Sequence, residues 1–193
     1  MERIVQKLNS PLLKRKSLTD RNRNFGVPLK CLIYKKSILI PRIVENICEF
    51  ILEYGLQTEG IFRVNGSTKA IASLKAQFDI TSADDLSYSD YDDIHAICGV
   101  FKLFLREIPD GLIPDIMDQL KDEKPQCILK LRNVVINLPE ENYNLLRYVC
   151  HFLRQLMVNE EFTKMSAANL GIVFGPCLFK CGLGVQVKYF VAL

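Results

Sequence analysis

Gly60-Ile61-Phe62-Arg63-Val64-Asn65-Gly66 sets one arginine among apolar residues and closes the run at each end with glycine. The glycines let the backbone turn where a side chain would clash. Ile61, Phe62 and Val64 favour burial, which pins the loop to a core. Arg63 is too costly to bury without a partner, so it is expected to project outward from that support. A planar, permanently charged guanidinium on a rigid loop has the chemistry to neutralise a phosphoryl group during transfer. A surface arginine at the end of a strand is the plainer reading, and the heptad alone does not separate the two.

Outward from the heptad, the pattern from Phe25 on is helical almost throughout. Pro41 suits a first helical residue; Ile43, Ile47, Phe50 and Ile51 follow on one face, and Gly55 is the stop. Ser67 caps a second helix with Ile71, Leu74 and Phe78 turned inward. A third is expected from about Ile94 to Glu107, before Pro109, and a short piece starts at Pro114. Two more cover roughly 125–136 and 139–158, the second amphipathic through Leu145, Leu146, Val149, Phe152, Leu153 and Leu156. Strand signals are sparse until the last few residues, and no solenoid repeat appears. The fold class is all-α, a single-domain helical bundle.

A chain of 193 residues is long enough to bury a core. Its 49% hydrophobic and 24% charged residues are those of an ordinary globular protein. The net charge of +3 is far from that of a dedicated nucleic-acid binder. No apolar run reaches the length of a membrane span, and the N-terminus lacks a signal peptide's apolar centre, so a cytoplasmic location is expected. The seven cysteines are odd in number and scattered, most of them within apolar helical patterns, and read as buried free thiols. Cys177 and Cys181 are close, but no second pair answers them; Cys150 and His151 diverge on a helix, so no metal site is expected.

Residues 1–24 carry Arg3, Lys7, Lys14, Arg15, Lys16, Arg21 and Arg23 against Glu2 and Asp20. They read as a flexible basic leader, either a solvated tail or a weak contact to an anionic membrane at about 1 kcal/mol per nearby basic residue. Ser17, after the basic triplet, is a candidate phosphorylation site.

Two further groupings bear on chemistry. In Phe101-Lys102-Leu103-Phe104-Leu105-Arg106-Glu107, Lys102 and Arg106 stand one helical turn apart on one face and repel by a few tenths of a kcal/mol. They are either a solvated face satisfied by Glu107 and Asp110, or a seat for a negatively charged partner. In Lys164-Met165-Ser166-Ala167-Ala168-Asn169-Leu170-Gly171-Ile172-Val173-Phe174-Gly175-Pro176, Ser166 caps a helix that Gly175-Pro176 ends. Asn169 lies in its first turn among apolar neighbours, as a hydrogen-bonding brace or a contact facing a partner.

These three segments, in this order and spacing, resemble the RhoGAP domain family. Phe25-Gly26-Val27-Pro28-Leu29 is similar to the family's opening segment, and Thr58-Glu59 precede the glycine as in its pattern. The resemblance covers roughly residues 25–180, leaving a basic leader at 1–24 and a divergent tail at 181–193. It implies a helical domain that binds GTP-loaded Rho-type small GTPases and accelerates hydrolysis of their nucleotide. Arg63 then matches the catalytic arginine finger, Lys102 and Arg106 the basic pair that braces the finger loop and meets the GTPase switch region, and Asn169 the interface asparagine. The domain needs no cofactor of its own: the GTPase brings GTP, Mg2+ and the water-orienting glutamine, which the Arg63 carbonyl would help to hold. A finger of this kind is worth about 10³–10⁵ in rate, or roughly 4–7 kcal/mol.

Two departures temper the match. Cys177 stands where the family usually carries an asparagine, which implies some lost hydrogen bonding. After Cys181-Gly182 the chain alternates Val185, Val187, Tyr189 and Val191 in a strand pattern, where the family continues with closing helix. This implies a truncated or alternative C-terminus with its last helical part missing, and a lower thermal stability than an intact relative. The alternative function is therefore a catalytically impaired GTPase-binding module or truncated regulatory isoform. No independent hydrolase chemistry is expected, since no Ser/His/Asp set and no phosphate-cradling Gly-x-x-x-x-Gly-Lys loop is present.

Overall fold

The computed structural model describes residues 23–34, 38–80, 93–113 and 124–180, with 124–128 as backbone only. The described residues hold eight helices: α1 (Leu29–Tyr34), α2 (Arg42–Tyr54), α3 (Thr68–Ile80), α4 (Ile94–Glu107), α5 (Lys124–Ile136), α6 (Glu140–Val158), α7 (Glu160–Thr163) and α8 (Ala167–Leu178). Among these residues the one extended pairing is an isolated parallel bridge between Ile113 and Phe179.

Local chemistry explains the ends of the central helix. The Asp93 carboxylate accepts the Ala96 N–H at 3.0 Å, satisfying an amide that opens α4. Ile108, just ahead of Pro109, leaves helical geometry and closes it, since a residue before proline disfavours the helical region. Between those ends nine of fourteen residues are buried, Lys102 among them, and α4 packs against α2, α3 and α8. Gly99 permits the close crossing of α3: a Cβ there would clash with the Ile71 side chain. The opening segment also joins the core, with Phe25 edge-on to Phe104 at 5.8 Å and its N–H bonded to Asp79.

The structure corrects several sequence expectations. Pro41 is the cap of α2, one residue ahead of the first helical position. Helix α8 runs through Gly175-Pro176 to Leu178. A proline in a helix forfeits the bond to the carbonyl four residues back. Here that residue is Ile172, 71% exposed, where water can replace the lost donor. Val64 is 45% exposed while Ile61 and Phe62 are fully buried. The turn leaves Val64 on its outer side, against Gly60. Cys31 is exposed and Cys150 half-buried, whereas Cys48, Cys98 and Cys177 are buried free thiols. The short piece at Pro114 and the strand pattern and missing helix after residue 180 lie outside the described residues, as does nearly all of the 1–24 leader.

Candidate functional site

The heptad folds as a tight turn between α2 and α3. Gly60 takes φ +70°, and a Cβ there would lie 2.9 Å from Val64 Cγ2, so both backbone and space require glycine. Its N–H donates to the Thr163 carbonyl at 2.7 Å, which ties the turn to the end of α7. The Arg63 and Val64 amides return to the Gly60 carbonyl at 2.9 and 2.8 Å. Gly66 serves differently: a Cβ there would run into the backbone of His95 and Ala96 at the start of α4.

Phe62 takes φ +65°, a conformation costly for a residue with a Cβ. What holds it there is burial on all sides. Its ring meets Phe174 of α8 at 4.9 Å between centroids, Phe101 of α4 at 5.9 Å and Phe152 of α6 at 6.0 Å. Offset and edge-on contacts of this kind add about 0.5–1.5 kcal/mol each beyond area burial. Both polar groups of Phe62 are also engaged from α4. Lys102 Nζ donates to its carbonyl at 2.6 Å in a buried hydrogen bond, and its amide faces the Cys98 thiol. Burial holds the Lys102 ammonium below its usual pKa, with Arg106 pushing the same way and the nearby thiols opposing. Burial likewise pushes the Cys98 thiol up to about 12.

Arg63 follows directly and is exposed. Its guanidinium lies back over the turn, Nη2 and Nε standing 3.5 and 3.6 Å from where a Gly60 Cβ would be. Arg106 is exposed one turn beyond Lys102, so the pair divides, one cation reaching inward and the other outward. Neither acid proposed to satisfy the pair does so. Glu107 takes Lys75 at 2.6 and 2.8 Å, and Asp110 pairs with Lys180 at 3.5 Å.

The third segment flanks the turn through Thr163. Lys164 takes a left-handed φ of +55° as the cap of α7. Asn169 Nδ2 donates to the Lys164 carbonyl at 3.2 Å, and the Asn169 amide is capped by Ser166 Oγ at the same distance. The brace expected of Asn169 is thus visible, on a half-buried side chain. Cys177 donates its thiol to the Val173 carbonyl of its own helix at 3.5 Å. Burial raises its pKa, and the neighbouring Arg106 and Lys102 pull it back.

The structure brings Arg63 and Lys102 together around the Phe62 peptide, sets Arg106 one turn along α4, and places Asn169 beyond Thr163. Sequence reasoning missed Cys98, Thr163 and the phenylalanine cluster. Cys98 had a signal, standing four residues before Lys102 on the same helix face. Thr163 had none, and the rings showed only that each favours burial, because the partners lie more than a hundred residues apart. Among the described residues no three His, Cys, Asp or Glu converge on a metal-sized site, and no helix is long and apolar enough to cross a membrane.

A model of the RhoGAP domain family matches residues 41–182. Rho GTPase-activating protein 22 of Mus musculus is 35% identical over 150 residues, 74% of this chain and 21% of the relative. Rho GTPase-activating protein gacY of Dictyostelium discoideum is 34% identical over 165 residues, 81% of this chain and 23% of the relative. The chain thus spans between a fifth and a quarter of the length of either. The crystal structure of human Rho GTPase activating protein 15 superposes with a TM-score of 0.73 at 25% identity, covering 92% of this chain and 89% of that one. With the family matched over most of its length and the same fold in a solved relative, this chain belongs to the RhoGAP domain family.

Proposed function

We propose that this chain accelerates GTP hydrolysis by a Rho-type small GTPase, with Arg63 supplied in trans as the arginine finger. The observation that carries the reading is the contrast within the heptad: Phe62 is fully buried and bonded from α4, while Arg63 beside it is exposed with no side-chain partner among the described residues. Such a turn positions a guanidinium without spending binding energy to order its backbone. Swinging the side chain off Gly60 would carry it to the γ-phosphate, where negative charge is stabilised during transfer.

The remaining residues take supporting roles. Lys102 holds the Phe62 carbonyl and so fixes the direction from which Arg63 leaves the turn. Arg106, exposed on the same helix, is free to meet an acidic or carbonyl group of the GTPase. Asn169 fixes the Lys164 carbonyl next to Thr163, and its amide oxygen is available to a backbone N–H of the partner. GTP and Mg2+ are held by the GTPase.

Single-turnover GTP hydrolysis by a panel of Rho-type GTPases, with this chain and with Arg63→Ala, tests the assignment. Acceleration that falls about 10³-fold or more in the variant is expected. Equal rates with both proteins would refute the finger. Retained binding to the GTP-loaded GTPase without acceleration would assign a non-catalytic binding module.

A further inference from the structure

Helix α6 has two faces of opposite character. Leu145, Val149, Phe152 and Leu156 are buried, and Phe152 is the residue that meets Phe62. At 3.6 residues per turn, Arg147, His151 and Arg154 share the face directed away from that core, and all three are exposed. With Leu39, Ile40 and Tyr148 they line an open cavity of about 580 Å³, and among the described residues no carboxylate is part of its lining. Neither arginine has an ion pair or side-chain hydrogen bond among the described residues.

One exposed apolar side chain lines this basic cavity, and another stands in the cavity next to it. Leu39 is 69% exposed and Tyr34 70% exposed. Leu39 is shared with a neighbouring cavity of about 360 Å³, walled by Ile33, Tyr34 and Ile38. Acids also stand nearby: Glu140 and Glu141 line the second cavity, and Glu45 and Glu49 of α2 face Tyr148. Glu45 is already engaged by Arg42 at 3.0 Å.

We propose that this face docks on an anionic membrane surface. Arg147 and Arg154 meet phosphate-bearing headgroups, with His151 between them, while Leu39 enters the interfacial layer. Basic side chains beside outward-projecting apolar ones are the signature of interfacial binding. The long arginine stems can lie along apolar surface with their charges at headgroup level. A groove built for an acidic peptide would bury its apolar side chains; Leu39, in the wall of this one, is 69% exposed. Glu140 and Glu141 repel headgroups, which confines contact to the Arg147–Arg154 half of α6. The face lies across α6 from the Phe62 cluster, so docking leaves the Arg63 turn open to a partner. The inference does not depend on the GTPase reading.

Co-sedimentation of the full chain with phosphatidylcholine vesicles, with and without phosphatidylserine, tests it. Binding is expected only with phosphatidylserine, and Arg147→Ala/Arg154→Ala together should weaken it about 25-fold, near fivefold per arginine. Leu39→Ser should weaken it severalfold. The substituted side chains are exposed, so the variants are expected to fold, and an unchanged thermal melt checks this. The basic leader is identical in parent and variants, so a difference between them reports on the α6 face. Equal sedimentation of parent and double variant, or binding to vesicles lacking phosphatidylserine, would overturn the proposal. Displacement from the vesicles by millimolar inorganic phosphate would assign the site to a free anion instead, and tighter binding to polyglutamate than to vesicles would assign it to an acidic protein; either result also overturns it.

Discussion

The two turns that meet at Gly60 and Thr163 each force a residue with a side chain into left-handed geometry, and they secure it by opposite means. Phe62 at φ +65° is held by a buried ring, by a buried ammonium on its carbonyl and by a thiol at its amide. Lys164 at φ +55° is exposed and is held by the half-buried Asn169 amide on its carbonyl, with its own Nζ returned to the Glu161 carbonyl at 2.6 Å. The local cost of either conformation is about 1–2 kcal/mol. The difference is in what opposes that cost: desolvated packing and a charge-assisted bond in one case, solvent-competed hydrogen bonds in the other. The buried turn is therefore expected to be rigid because its anchors are costly to lose, and the exposed turn to be replaceable.

Removing the Phe62 ring should have the largest effect. Phe62→Ala keeps the strained backbone and deletes the contacts with Phe101, Phe152 and Phe174, leaving a cavity among α4, α6 and α8. A loss of about 3–5 kcal/mol in urea-induced unfolding is expected. A loss under about 1 kcal/mol would mean that the cluster does not anchor the turn.

Lys102→Met comes next. The substitution leaves the Phe62 carbonyl buried without a donor, costing about 1–3 kcal/mol, and it removes a partly desolvated charge, which returns part of that cost. The net loss should be about 1–2 kcal/mol, with GTPase stimulation falling although Arg63 is intact. Unchanged stimulation would show that the turn keeps its aim without the bond from α4.

How far all this could be read from the sequence depends on how local the determining contact is. The end of α4 was legible because Pro109 acts within a few residues of it, and Ser67 and Ser166 marked α3 and α8 for the same reason; Asp93, which was not read, is an equally local signal for the start of α4. Helices α1 and α7 were not, since six and four residues are too short to show a period. The end of α8 was misread because a proline predicts a break only where the lost donor cannot be replaced, and the exposure of Ile172 is a property of the fold. At the site, the exposed placement of Arg63 followed from its chemistry. That Lys102 would point inward to a carbonyl forty residues earlier did not, because periodicity gives a face of a helix and never the partner across from it.

The exposed turn supplies the smaller effects. Asn169→Ala removes one solvent-competed bond to the Lys164 carbonyl and should cost about 0.5–1 kcal/mol. Lys164→Gly is the finest probe, because it changes the backbone preference and little else. Glycine relieves left-handed strain of about 1–2 kcal/mol, against about 0.5–1 kcal/mol for its greater freedom in the unfolded chain. A net gain of about 0.5–1 kcal/mol is expected by urea titration. The same exchange at Phe62 would relieve the same strain, yet it must destabilise, because that side chain is itself the anchor. A measured loss at Lys164→Gly would mean that the Lys164 Nζ bond to Glu161 outweighs the strain, and that the exposed turn, like the buried one, is held by its side chain.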